Sequence, residues 1–121
     1  MANPNIVSVS SILGGNAGFN LSNTLTATLI TVDAEKLVKI NRITCANVDG
    51  TNSADLDIFI DGLGSGASGV TTTGADATVY LAKTVAVPAD TTLVVLDTPI
   101  YLMEGDILKG GASANSDLDL F

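Results

Sequence analysis

The chain has 121 residues, the length of one ordinary domain, and 13 acidic against 5 basic residues leave it a net charge of −8. With no His and a single Cys, it has no Ser-His-Asp or Cys-His catalytic set, no His-based zinc or iron site and no internal disulfide. The excess negative charge opposes phosphate backbones and anionic membrane surfaces. Composition therefore points away from an enzyme, a nucleic-acid partner, a membrane partner or a cofactor, and toward a soluble binding or structural module.

Apolar residues make up 46% of the chain but aromatics only 4%, so Ala, Val, Leu and Ile must do most of the packing. Each small side chain buries little area, at ~25 cal/mol per Å². A core of this kind is only modestly stable on its own, and self-association would help it. Met1–Ser10 has no cationic stretch and is interrupted by Pro4, so no leader is expected. Apolar runs such as Leu93–Leu96 are too short to span a bilayer.

β-branched, alternating segments dominate, punctuated by Gly, Asn and Asp. Residues 1–6 form an extended N-terminal arm, and Ile6–Leu13 is a first strand closed by Gly14 and Gly15. Thr24–Val32 is a second, with Leu25, Ala27 and Leu29 alternating against threonines. Asp33-Ala34-Glu35 is a turn. Leu37–Val48 is a long strand whose apolar parity changes from Val38 and Ile40 to Ile43 and Cys45. Such a change predicts a bulge or bend that lets one strand serve two sheets. Asp49-Gly50-Thr51-Asn52 is a turn. In Asp55–Asp61, Leu56, Ile58 and Ile60 point one way and Asp55, Asp57, Phe59 and Asp61 the other, which predicts one buried and one solvated face.

Residues 62–77 form a long Gly/Ser/Thr loop. Its Gly64-Ser65-Gly66-Ala67-Ser68-Gly69 run matches a dinucleotide fingerprint in form only, because no helix pattern follows to receive a pyrophosphate. Thr78–Val87 is a strand with Val79, Leu81, Val85 and Val87 on one face, ended by Pro88. Leu93–Leu96, Ile100–Met103, Ile107–Lys109 and Ser116–Phe121 follow, parted by Pro99 and by the turn Glu104-Gly105-Asp106. About eight short antiparallel strands predict one all-β domain over residues 1–121, a β-sandwich of immunoglobulin-like or jelly-roll-like type. Asn52–Phe59 resembles Ala114–Phe121, and the two stretches are expected to be equivalent edge strands.

Candidate site residues are few. Asp55 and Asp57 share one strand face, and Asp117 and Asp119 share another. Were those strands neighbours, four carboxylates would gather and invite a hard cation such as calcium. The plainer and preferred reading is a solvated face, or charge that protects an edge. Two carboxylates could also serve a glycosidase, but a sugar cleft needs aromatic walls that five aromatics and no Trp supply poorly. Lys36, Lys39 and Arg42 fall within seven residues and form either a docking patch for an acidic partner or plain surface decoration. Phe59, a large apolar side chain among aspartates, marks either a contact surface or the cover of a neighbouring strand. The arm residues Asn3, Pro4, Asn5 and Ile6 are polar and extended, the kind a partner orders. Cys45, amid apolar neighbours, is expected to be a buried, inert thiol.

Several stretches carry a family likeness: Ala2–Val7, Ala46–Asn52, Leu81–Thr84, Val87–Leu93, Tyr101–Asp106 and Ala112–Leu118. As a set they resemble small virion proteins of marine tailed bacteriophages, the kind carried by phages of cyanobacteria and other ocean bacteria. The likeness covers most of the chain from Ile40 onward, plus the arm. It implies a non-enzymatic part of the particle, and a small acidic β-domain looks most like a capsid decoration, or cement, protein. Such a protein would bind the major capsid protein on the outer surface of the virion shell through its arm and an apolar face. A dimer or trimer would suit it. The alternatives are a tail or fibre component and, further off, a calcium-dependent carbohydrate-binding module.

Overall fold

A computed structural model describes residues 12–62 and 78–121. They form ten strands: β1 (Phe19–Asn20), β2 (Thr28–Thr31), β3 (Val38–Ile40), β4 (Ile43–Asn47), β5 (Ala54–Asp61), β6 (Val79–Val87), β7 (Thr92–Leu96), β8 (Ile100–Leu102), β9 (Ile107–Ala112) and β10 (Leu118–Leu120). The N-terminal arm, Ile6–Ser11 of the first expected strand and all but Gly62 of the 62–77 loop lie outside the described residues. Ile12 and Leu13 belong to no strand and are exposed.

Pairing is nested. β5 pairs with β6, β4 with β7, β3 with β8, β2 with β9 and β1 with β10, all antiparallel. Two further pairings, β10 with β4 and β5 with β9, gather the strands into sheets. One sheet has the order β1-β10-β4-β7 and the other β2-β9-β5-β6, with β3-β8 as a separate ribbon. Among the described strands, β5 and β6 are the only consecutive pair that hydrogen-bond to each other. This is the winding of a jelly roll, a long hairpin rolled so that nearly every connection crosses between sheets, and it decides against the immunoglobulin-like alternative. Eight strands build the two sheets, as expected, and the ribbon adds two.

The sheets enclose one aliphatic core. Leu56, Ile58, Ile60 and Leu108 from one sheet meet Ile43, Cys45, Leu118 and Leu120 from the other. The expected bend in Leu37–Val48 is present: the chain leaves the ribbon at Ile40 and enters the first sheet at Ile43. Asp33–Lys36 turns, with the Lys36 N–H donating to the Asp33 carbonyl.

Four features depart from expectation. The second strand is only Thr28–Thr31, because Thr24–Ala27 folds into a turn and leaves Leu25 exposed. In β6 the register with β5 shifts twice, so Ala82 enters the core opposite Ile58; Val79, opposite Ile60 at the start of this edge strand, is exposed. One of the shifts contains Thr84, a β-branched residue at φ 53°, a strained region. β9 runs on through Gly110 and Gly111 to Ala112. Glycine there reads as a stop in sequence, yet a Cβ at Gly110 would run into the Asp57 carbonyl, and one at Gly111 into the Thr24 carbonyl. The two glycines let neighbouring backbone lie flat on the strand. Finally, β5 and β10, which contain the two similar stretches, are interior strands of different sheets and not edges.

Asn47 bridges the two sheets. It is buried at the end of β4; its amide donates to the Val87 carbonyl at 2.8 Å and the Asn52 carbonyl at 3.0 Å, and its oxygen accepts from the Asp49 N–H at 2.8 Å. All three partners lose their bond if the side chain is truncated. Asn47→Ala should lower the unfolding free energy by about 2–3 kcal/mol, read from the urea midpoint. Gly110→Ala reverses an ordinary trend. Gly→Ala at a compatible site stabilises by ~0.4–1 kcal/mol; here the clash should cost roughly 1–3 kcal/mol, and an unchanged midpoint would show that the β5–β9 contact is looser than described.

Candidate functional site

Because the chain passes from the ribbon to the first sheet at Asn41–Arg42, the two sheets stay apart at that end. A cleft of about 760 Å³ opens there. Its floor is the core itself: Phe19, Ile30, Ile40, Ile43, Leu108 and Leu120. Lys39, Asn41, Arg42 and Thr44 stand among its polar lining. Lys39 and Arg42 are exposed, and Phe121 at the cleft is 63% exposed. Such a surface can seat an apolar segment flanked by carboxylates: the walls desolvate the segment and the cations meet its charge.

The cationic cluster is thus only partly gathered. Lys39 lies over the Tyr101 ring, 5.9 Å from its centroid. Lys36 is exposed in the 33–36 turn and does not line the cleft. Lys109 is bonded to Asp61 at 2.9 Å, the sole ion pair among the described residues, and Lys83 sits 4.8 Å from the Tyr80 centroid. Lys36 and Arg42 are therefore the cations with neither an ion pair nor an aromatic face among the described residues.

The four aspartates do not come together. β5 and β10 lie in different sheets, and their aspartates alternate with core leucines and isoleucines, so the pairs project from opposite sides of the sandwich. Asp57 is buried, and its carboxylate accepts from the Thr84 N–H at 2.7 Å, pinning the strained turn of β6. Asp119 accepts from the Asn20 amide at 2.7 Å. Among the described residues no cluster of three or more acidic, Cys or His side chains could hold a metal.

Phe59 points away from the main core, as the alternation predicts, but it is 5% exposed and stacks on Tyr80 with centroids 4.9 Å apart. The covering role is the correct one, and the outer face of β5 is less solvated than expected. Tyr80 supplies the cover because the register places it directly opposite Phe59, a pairing that no local pattern announces. Lys109, then the Thr78 hydroxyl and the Gly62 N–H, hold the Asp61 carboxyl below its ordinary value. The Thr51 N–H and the Asn52 amide do the same for Asp49 in its turn.

Two of the buried polar groups that escape a sequence reading stand out. One is Asn47, described above. The other is Glu104, wholly buried in the 103–106 turn: one oxygen accepts from the Glu35 N–H and Oε1 makes no hydrogen bond. Turn composition makes both look exposed, and only the contact between distant turns buries them.

Compared with protein-family profiles, with curated proteins and with solved structures, the chain matches none. Among the described residues no helix is long and apolar enough to cross a membrane.

Cys45 is wholly buried, and burial, followed by the nearby Asp119 charge, raises its thiol to about 11. The raised value means that the neutral thiol's contribution to stability is complete below the ordinary 9.0 and is lost as pH climbs toward 11. Native protein at pH 8 should react with a thiol reagent only as fast as it unfolds. Above pH 9 the parent should lose stability relative to Cys45→Ala; parallel curves would place the thiol in a wetter site.

Proposed function

We propose that the protein is a structural component of a tailed-phage virion, a capsid decoration protein that docks on the major capsid protein at the outer face of the assembled shell. The likeness of the sequence to marine phage virion proteins is what suggests the class. The observation that carries the docking role is the cleft: a chain of net charge −8 opens its own aliphatic core beside two exposed cations, Lys39 and Arg42. Such a surface favours an apolar, carboxylate-flanked segment of a partner. The jelly roll is compatible, since capsid domains use it, but so do lectins, and fold alone decides nothing.

The physical logic is mass action. A protein that binds only the assembled shell stabilises that state in proportion to its affinity and free concentration. A winding in which distant segments pair holds the docking cleft in one shape. The acidic remainder of the surface keeps the particle soluble.

Quantitative mass spectrometry of purified virions tests the role. A copy number equal to the capsid subunit, or a simple fraction of it, is the expected result. A few to a few dozen copies would move the protein to the tail or fibres, and absence from the particle would refute a virion role altogether. On assembled shells, Lys39→Glu should weaken binding at least about tenfold and flatten its salt dependence; unchanged binding would remove the basic rim from the docking surface.

A further inference from the structure

The outward faces of the two sheets differ in character. That of the second sheet carries Asp55, Asp57 and Asp61 on β5, Lys109 on β9 and Lys83 on β6, around the Phe59–Tyr80 stack. The first sheet shows another pattern. Ile43, Cys45, Leu118 and Leu120 point into the core, so Thr44, Ala46, Val48, Asp117, Asp119 and Phe121 point out. Register places Val94 beside Thr44 and Thr92 beside Ala46 on the same face. Phe121 flanks Thr44 through a reciprocal pair of backbone hydrogen bonds. Phe121 is 63% exposed, Val48 54% and Val94 45%. The centre of this face is thus small or apolar side chains in the open, with no lysine among them.

Charge lies only toward its ends, and it is polar in sense. Arg42, exposed and without an ion pair among the described residues, stands just before β4. Asp119 lies opposite Ala46, and the Asp117 carbonyl accepts from the Val48 N–H at 2.8 Å. Along β4 the face runs from a cation, through Thr44, Phe121 and Val94, to two carboxylates.

We propose that this face is a two-fold interface between two copies of the chain. Two such faces can stack with the symmetry axis in the interface plane, and the axis has two natural directions. An axis along the strands sets Arg42 against Arg42 and the aspartates against one another. An axis across the strands reverses one copy, so that Arg42 of each meets the Asp117 and Asp119 end of the other and the apolar centres coincide. The charges select the second. Every contact then occurs twice, as a closed two-fold interface requires, and the packing is that of aligned sheets. The inference does not need the virion reading, although Arg42, Thr44, Thr92 and Phe121 border the cleft as well as this face.

Sedimentation velocity across a concentration series tests it, with circular dichroism to confirm that each variant is folded. The parent chain should be a reversible dimer. Arg42→Asp and Asp117→Arg should each raise the dimer dissociation constant at least about tenfold, and Val94→Asp should leave a folded monomer. The double variant Arg42→Asp/Asp117→Arg should regain the dimer, because the swapped charges meet again across the axis. A parent that stays monomeric at millimolar concentration, or forms a trimer, overturns the proposal. So does a double variant no better than its folded single parents.

Discussion

The contact between β5 and β6 sets the rest of the molecule. Among the described strands these are the longest and the only consecutive ones that pair. Once they are antiparallel, the chain on either side runs back alongside itself, and β4 with β7, β3 with β8, β2 with β9 and β1 with β10 follow in order. Each successive pair joins residues further apart in the chain. Such an arrangement depends on non-local contacts, and folds dominated by them form slowly. The strain stored at Thr84 belongs to the same strand pair. The buried Asp57 carboxylate holds the Thr84 N–H and fixes where β6 shifts register. A carboxylate that sequence offers as a possible metal ligand is thus part of the hairpin's own construction.

The winding also explains where the molecule is open. The ribbon of β3 and β8 belongs to neither sheet, and the chain needs Asn41–Arg42 to pass from one plane to the other. Among the described residues, nothing covers the core side chains at that end, so Ile43, Leu108 and Leu120 reach the floor of a cleft. A core this poor in aromatic bulk has little to fill the gap. Partner surfaces can supply the missing cover, whether a capsid subunit or a second copy.

Much of this was legible locally. Turns at Asp33–Glu35, Asp49–Asn52 and Pro88–Asp90 use residues whose side chains or backbone preferences make the bend themselves: the Asp49 carboxylate accepts from the Thr51 N–H, and Thr91 donates to the Pro88 carbonyl. The inward set of β5 follows from alternation, and the bend at Asn41–Arg42 from a parity change. Strand limits set by neighbouring backbone were not legible. Gly110 and Gly111 look like a stop until the Asp57 and Thr24 carbonyls are seen against them. Ala82 enters the core because the register shifts set it opposite the inward Ile58.

By itself, the sequence determined the class: an acidic, all-β, His-free chain with an aliphatic core and self-sufficient turns, because composition, alternation and turn chemistry are local properties. Only the tertiary structure decided which strands are neighbours, and everything at the surface hangs on that. It sent Asp55 and Asp57 to the opposite side from Asp117 and Asp119, put Tyr80 over Phe59 and placed Lys39 and Arg42 on a cleft. It also left one sheet face apolar at its centre. The reason is physical: pairing between strands far apart in the chain is set by the fit of two whole sheets over a shared core, and no single strand carries that information.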